Sequence, residues 1–216
     1  MDNELRAITD GRIYRKNDMV KVGCHDCQGC SDCCRGMGES ILLDPFDIYR
    51  LTRFLNKSFA ELMENAVEIH SVEGLLLPNL KMGSDGDGSC SFLNQEGRCS
   101  IHAARPGICR LFPLGRQYEA DGAGLSYFLL TEECPAKNKS KMKVEKWLDT
   151  ENLPKYEAYL CDWHALTKAL REEIINSTDD TYTKQVTTMF LRLFYEKPYV
   201  EDFYQEFYQR RALLLG

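Results

Sequence analysis

Long apolar runs are missing from this chain. No stretch approaches the roughly 18 residues that crossing a bilayer requires, so no membrane partner is expected. The first twenty residues, MDNELRAITD GRIYRKNDMV, are charged throughout and lack the apolar centre of a secretory leader, which makes a cytoplasmic location the expectation. An excess of basic charge is missing too. Lysine and arginine number 27 against 33 acidic residues, for a net charge of −6, a balance that argues against a nucleic-acid partner held by its phosphates. Histidine is scarce, at four residues. Absent as well are a glycine-rich dinucleotide fingerprint, a phosphate-binding P-loop and an internal repeat of about 20 to 50 residues. No segment has a disordered or low-complexity composition, and 216 residues, 44% of them hydrophobic, suffice for a single domain over 1–216 with a real core.

Cysteine is what the chain has in excess. Of ten cysteines, Cys24, Cys27, Cys30, Cys33, Cys34, Cys90, Cys99, Cys109 and Cys134 precede residue 135, and only Cys161 follows. A reducing compartment disfavours structural disulfides, and thiols gathered there serve as metal ligands or redox groups. Burial as small hydrophobes would not explain five cysteines between positions 24 and 34.

The remaining pattern predicts an α+β fold: a loop-rich cysteine-cluster half with small β hairpins over 20–135, and an α-helical C-terminal third over 141–216. Asp44-Pro45 reads as an N-cap followed by proline at the first helical position, with Phe46, Ile48, Tyr49, Leu51, Phe54 and Leu55 on an amphipathic helix. Ser58 with Glu61 has the form of a capping box and starts a second helix. Residues 66–73 and 75–82 read as short strands around Gly74, the second demoted to an edge or irregular strand by Pro78. Residues 90–101 suggest a hairpin or knuckle turning at 94–97, and 117–118 and 125–130 are expected to pair across a turn at 121–124. Helices are expected over 141–149, 155–176, 181–195 and 199–213, the last two separated by Lys197-Pro198.

The chemistry concentrates in Cys24-His25-Asp26-Cys27-Gln28-Gly29-Cys30-Ser31-Asp32-Cys33-Cys34. A Cys-x-x-Cys step turns two thiolates toward one centre, and here the step repeats three times. In one frame Cys24, Cys27, Cys30 and Cys34 have ferredoxin-type spacing, although Arg35 stands where proline would follow. Cys134-Pro135 supplies such a pair later and is a candidate remote ligand. Cys90 and Cys99 flank a hairpin and Cys109 follows a Pro-Gly turn, so backbone bends could aim all three. Nine thiolates suffice for two four-thiolate centres, or for one centre and a redox-active pair. Tetrahedral thiolate sites serve zinc and iron–sulfur centres alike. Vicinal Cys33 and Cys34 are expected as ligands to neighbouring centres rather than as a strained disulfide. Arg35, Arg98, Arg105, Arg110 and Arg116 could offset thiolate charge, or could simply be solvated. His25 and His102 are candidate ligands beside cysteines that already suffice. His70 and His164 read as structural, Cys161 as a non-ligand, and Phe190, Leu191, Leu193, Phe194, Phe203, Phe207 and Tyr208 as core-facing helix stripes.

Cys27-x-x-Cys30-x-x-Cys33-Cys34, then Cys90-x-Phe92-Leu93, Cys99-x-Ile101, Arg105-Pro106-x-x-Cys109-Arg110-x-Phe112-Pro113 and Cys134-Pro135 resemble, in ordered succession, the YkgJ-type cysteine-cluster family of zinc- or iron-chelating domains. The resemblance covers about residues 24–135 and implies eight recurring cysteines: Cys27, Cys30, Cys33, Cys34, Cys90, Cys99, Cys109 and Cys134. Cys24 is an addition to them. The family includes the flagellin lysine N-methylase, associated with an iron–sulfur cluster, so the resemblance makes a cluster-dependent, protein-modifying activity conceivable. The expectation is therefore an iron–sulfur protein with one or two 4Fe–4S centres, serving electron transfer or modification of a protein partner or substrate. The alternative is a structural zinc module whose helical part binds another protein.

Overall fold

The computed structural model describes residues 7–24, 30–83, 88–119, 122, 124–131 and 133–216. His25 and Cys27 lie outside the described residues. Strand β1, Met19–Gly23, alternates exposed and buried positions and turns Val20 and Val22 into the core, the two-residue period of a half-buried strand. Sequence reading had not anticipated it. Helix α1, Pro45–Leu55, begins at a closed capping box in which Asp44 and Asp47 each accept the other's backbone amide. Helix α2, Phe59–Asn65, begins the same way on Ser58 and Glu61. Both starts are where the capping residues predict them.

Strands β2, Val67–Val72, and β3, Leu75–Leu80, form an antiparallel hairpin with Ile69 opposite Pro78. Its turn, Glu73-Gly74, holds both residues at positive φ, 52° and 85°, as a tight hairpin turn of the right twist demands. Helix α3, Gly107–Leu111, is a short helix not foreseen from the sequence, and it carries Cys109. Strands β4, Leu114–Tyr118, and β5, Leu125–Leu129, pair in full register from Leu114↔Leu129 to Tyr118↔Leu125. That pairing matches the expected hairpin and extends it by three residues on β4.

The helix expected over 141–149 begins as strand. Residues of β6, Ser140–Lys143, pair with β1, Val20 opposite Met142, and helix α4, Val144–Leu148, starts only afterwards. The Ser-Lys-Met-Lys run offers no helical apolar face, and β1 would otherwise lack a partner for its ladder. Helix α5, Leu153–Asn176, is capped by Asn152 and buries Tyr156, Tyr159, Leu160, Trp163, Leu166, Leu170 and Ile174 at helical spacing. Helix α6, Asp180–Leu191, ends sooner than expected, in a wide turn over Arg192–Glu196 where the Lys197 amide reaches back 3.0 Å to the Arg192 carbonyl. Helix α7, Phe203–Leu215, starts four residues later than expected. Ahead of it the amides of Val200 and Glu201 are taken by the Glu206 carboxylate rather than by a helical ladder.

One continuous core joins both halves, running from Val20, Leu43, Ile101 and Leu114 to Trp163, Phe190, Phe194 and Phe207. Trp163 stacks on Phe190 at 5.4 Å, and Tyr159 meets Phe207 edge-on at 4.7 Å. Such burial contributes about 1.5–3 kcal/mol per side chain. The Tyr195 hydroxyl donates to the Leu43 carbonyl at 3.0 Å, tying the helical part to the chain just before α1. Of the predicted stripe, Tyr208 is the exception: it is exposed and donates to Asp162. Among the described residues no helix is long and apolar enough to cross a membrane.

Candidate metal centre

Three short backbone associations assemble the cysteines. A turn of 3₁₀ helix, Asp32–Cys34, closes on the Cys34 amide donating to the Ser31 carbonyl at 2.8 Å. The chain then lies against residues 88–90: the Cys90 amide donates to the Cys34 carbonyl at 2.7 Å, and the Gly36 amide to the Gly88 carbonyl at 3.0 Å. The Arg35 guanidinium reinforces this seam through Ser31 and Ser89. On its other side, the 88–91 segment pairs with the continuation of β3, since Gly83 donates to Ser89 at 2.7 Å and Ser91 to Lys81 at 3.1 Å. Cys34 and Cys90 are thus brought together by main-chain bonds rather than by local sequence.

The expected knuckle follows. The Asn94 side chain accepts from the amides of Glu96 and Arg98, at 3.1 and 2.8 Å, which folds residues 94–98 into a turn and pairs Leu93 with Cys99. Cys109 arrives on α3, whose first amide, Gly107, is held at 2.7 Å by the Asp47 carboxylate.

These associations place Cys30, Cys33, Cys34, Cys90, Cys99 and Cys109 around one cavity of about 60 Å³, with Arg98, His102 and Arg105 also in its wall. Apolar side chains, Ile41, Leu80, Met82 and Ile101, close the remainder. Cys33 and Cys34 face the same cavity, and both are free thiols. Cys24 and Cys134 are not in the cavity wall. Cys24 follows the β1 residue that pairs with Ser140, and the Cys134 carbonyl accepts from Lys139 at 2.8 Å. Cys161 lies on α5, apart from the site. Among the described residues no group of three or more His, Cys, Asp or Glu side chains is arranged to hold a single ion. The six thiols line a space instead of converging on a point. That space is several times the ~10–15 Å³ needed by one water-sized sphere.

A family model described as "Putative zinc- or iron-chelating domain", and labelled by the pattern CxxCxxCC, matches residues 26–148. The chain belongs to the CxxCxxCC family. No curated protein and no solved structure gives a match. The matched segment takes in eight of the nine candidate cysteines and leaves out Cys24, the one that the motif comparison had set apart. It ends at α4, so the α5–α7 helices are outside it.

The CxxCxxCC site is chemically suited to a soft metal. Four of its thiols hold their protons tightly while no metal competes. Cys33 is raised by its hydrogen bond with Cys34 and then by burial, and burial likewise raises Cys90, Cys99 and Cys109. The positive charge of Arg105 works the other way at Cys33 and Cys99. The Arg105 Nη1 lies 3.1 Å from His102 Nε2, while its buried Nε has no partner. Metal loading must therefore expel protons, and the arginine lowers that cost.

Of the five arginines singled out by sequence, Arg98 and Arg105 line the cavity. Arg110 is buried elsewhere, on the carbonyls of Ala103 and Asp149. His70 bridges Glu39 and Glu68 on β2, and His164 stacks on Tyr118 at 3.8 Å, so both are structural as expected. Asp47, Ile41 and Met82 were missed. They come from segments without cysteine, and only the α1 capping box hinted at Asp47.

Proposed function

We propose that this chain is an iron–sulfur protein that holds a 4Fe–4S centre in the cavity walled by Cys30, Cys33, Cys34, Cys90, Cys99 and Cys109, and that the centre serves electron transfer or the modification of another protein. One observation carries the reading. Six thiols surround one space of about 60 Å³, more than the four ligands that a lone zinc ion takes and suited to a multi-atom cluster. The scarcity of histidine beside ten cysteines supports the same choice, while Cys24, the first member of the ferredoxin-type frame, lies outside the cavity wall. Bound there, the group would supply one-electron chemistry. The protein's own part is to exclude water with Ile41, Leu80, Met82 and Ile101, and to offset thiolate charge with Arg98 and Arg105. Cys24 and Cys134, outside the cavity wall, are available to a second centre or a redox pair. Free thiols in this number fit a reducing, cytoplasmic setting.

The test is anaerobic purification followed by a visible spectrum, with iron, sulfide and zinc measured on the same sample. Brown protein with about four iron and matching sulfide per chain supports a single cubane, and about eight supports two. Colourless protein with stoichiometric zinc and no sulfide overturns the reading in favour of a zinc-folded interaction module.

A further inference from the structure

A second and larger cavity, of about 420 Å³, adjoins the cysteine cavity and shares Cys33, Ile41 and Cys109 with it. Its size lies in the range of small-molecule pockets, about 300–1,000 Å³. Most of its wall is apolar, contributed by Met37, Ile108, Phe112, Leu114 and Leu130 among others. A single cation lines it, Arg116 on β4. Among the described residues the one acid in the wall, Glu133, is exposed to solvent.

Arg116 differs from the other arginines near the site. The guanidinium groups of Arg35, Arg105 and Arg110 each have a side-chain or carbonyl partner within reach, whereas the Arg116 side chain makes no hydrogen bond or ion pair with any described residue, its backbone alone pairing with Tyr127. Arginine keeps its charge in proteins, so Arg116 stands in the pocket wall as a guanidinium. Asp44 and Asp47 act on it only from a distance, their oxygens being engaged by each other's amides and by Gly107. Half-buried in an apolar wall and without a side-chain partner among the described residues, the Arg116 guanidinium has a planar fork shaped for a carboxylate. A phosphate dianion would call for more donors than one side chain in an apolar wall.

We infer that this pocket binds a small carboxylate with an apolar body, the carboxylate engaging Arg116 and the body lying among Met37, Ile108 and Leu130. The shared wall sets such a ligand next to Cys33 and Cys109. The inference holds whichever metal group occupies the cysteine cavity.

Isothermal titration of the full chain, metal-loaded as purified, with butanoate, hexanoate and octanoate and with the 1-alkanols of the same lengths tests it. The carboxylates are expected to bind more tightly as the chain lengthens, and at least tenfold more tightly than the matching alkanols. Arg116→Met should abolish that preference, weakening the carboxylates at least tenfold while leaving alkanol binding and metal content unchanged. Met37→Trp, in a loop, should weaken both series by filling the pocket. Wild-type protein that binds carboxylates no better than alkanols overturns the inference, and this comparison needs no variant to fold. So does an Arg116→Met protein that keeps full carboxylate affinity, or one that loses metal while wild type binds no carboxylate, which would make Arg116 a servant of the metal centre.

Discussion

Asp47, in the first turn of α1, accepts a hydrogen bond at 2.7 Å from the amide of Gly107, two residues before Cys109. One carboxylate thus closes the capping box of a helix and anchors the turn that presents a cavity thiol. The space at Gly107 is used up, because a Cβ there would stand 2.2 Å from the Tyr156 hydroxyl oxygen and 3.6 Å from Asp47 Oδ1. Gly107→Ala should therefore force the amide off Asp47, shift Cys109 and cost about 1–3 kcal/mol, as overpacking does. Melting temperature and metal per chain will show it. Gly97→Ala is the control: its Cβ meets nothing within 4 Å, although φ is +70°, so it should lose some stability and keep its metal.

Serine substitutions should sort the cysteines into two groups. Cys33→Ser, Cys34→Ser, Cys90→Ser, Cys99→Ser and Cys109→Ser each remove a thiol from the cavity wall and should lower both bound metal and melting temperature, since metal affinity adds to folding free energy. Cys161→Ser, on α5, should alter neither. Metal analysis of the purified variants decides it. Full metal content in both Cys90→Ser and Cys109→Ser would separate the cavity from the metal.

Much of this arrangement is readable in the sequence, for local reasons. Asp44-Pro45 announces α1 as an N-cap followed by proline, and Ser58/Glu61 announces α2 as a capping box, because both signals are contained within four residues. The 94–97 turn was legible because the Asn94 side chain bonds amides just ahead of it. What stayed hidden depends on partners far along the chain. β1 and β6 are separated by more than a hundred residues and define each other, so the polar 141–143 run on its own reads as the start of a helix. Cys34 meets Cys90 through main-chain bonds that leave no trace in side-chain pattern. The cysteines' membership of a metal site was evident from their steps, but the division among them was not. Cavity walls are made by tertiary packing, and Ile41 and Met82 carry no mark of it.

Arg210 should prove as sensitive as any core aromatic. Its guanidinium donates to the carbonyls of Leu193, Lys197 and Pro198 at 2.8, 2.7 and 2.7 Å and to Glu206 at 2.7 Å, and it lies 3.6 Å from the Tyr199 ring centroid. It satisfies the carbonyls freed by the wide turn after α6. Arg210→Met leaves them and a carboxylate unpaired in a buried corner, a loss of about 3–5 kcal/mol. Urea unfolding should show that loss. Because no cavity residue is touched, metal content at low temperature should hold.

Arg105 offers a test of the charge argument at the centre. It lines the cavity with a buried, partnerless Nε and favours the thiolate forms of Cys33 and Cys99. For an iron–sulfur centre, Arg105→Met removes compensation for the extra electron, so the reduction potential should fall by tens of millivolts, roughly. Voltammetry of the two proteins reads it directly. A rise in potential would contradict the role assigned to the arginine.

The Asp44–Asp47 pair predicts a pH dependence whose sign follows from burial. Asp47 is pushed up to about 8, by burial first and then by the neighbouring Asp44, and burial also raises Asp44. The folded protein keeps a proton that the unfolded chain releases near the ordinary pKa of about 4. Between those values the unfolded state binds fewer protons, so stability falls as pH rises, and the decline ends above the folded value. Asp47→Asn has no proton to lose, yet its Oδ1 can still accept from Gly107. Thermal or urea unfolding at pH 5 and pH 8 should show wild type losing on the order of 3 kcal/mol relative to the variant across that interval. Cysteine and metal contributions are common to both proteins and cancel in the difference. Equal slopes would mean that the pair is ionised in the fold. The link from α1 to Gly107 would then be an ordinary charged cap, and the anchoring of Cys109 would be insensitive to pH.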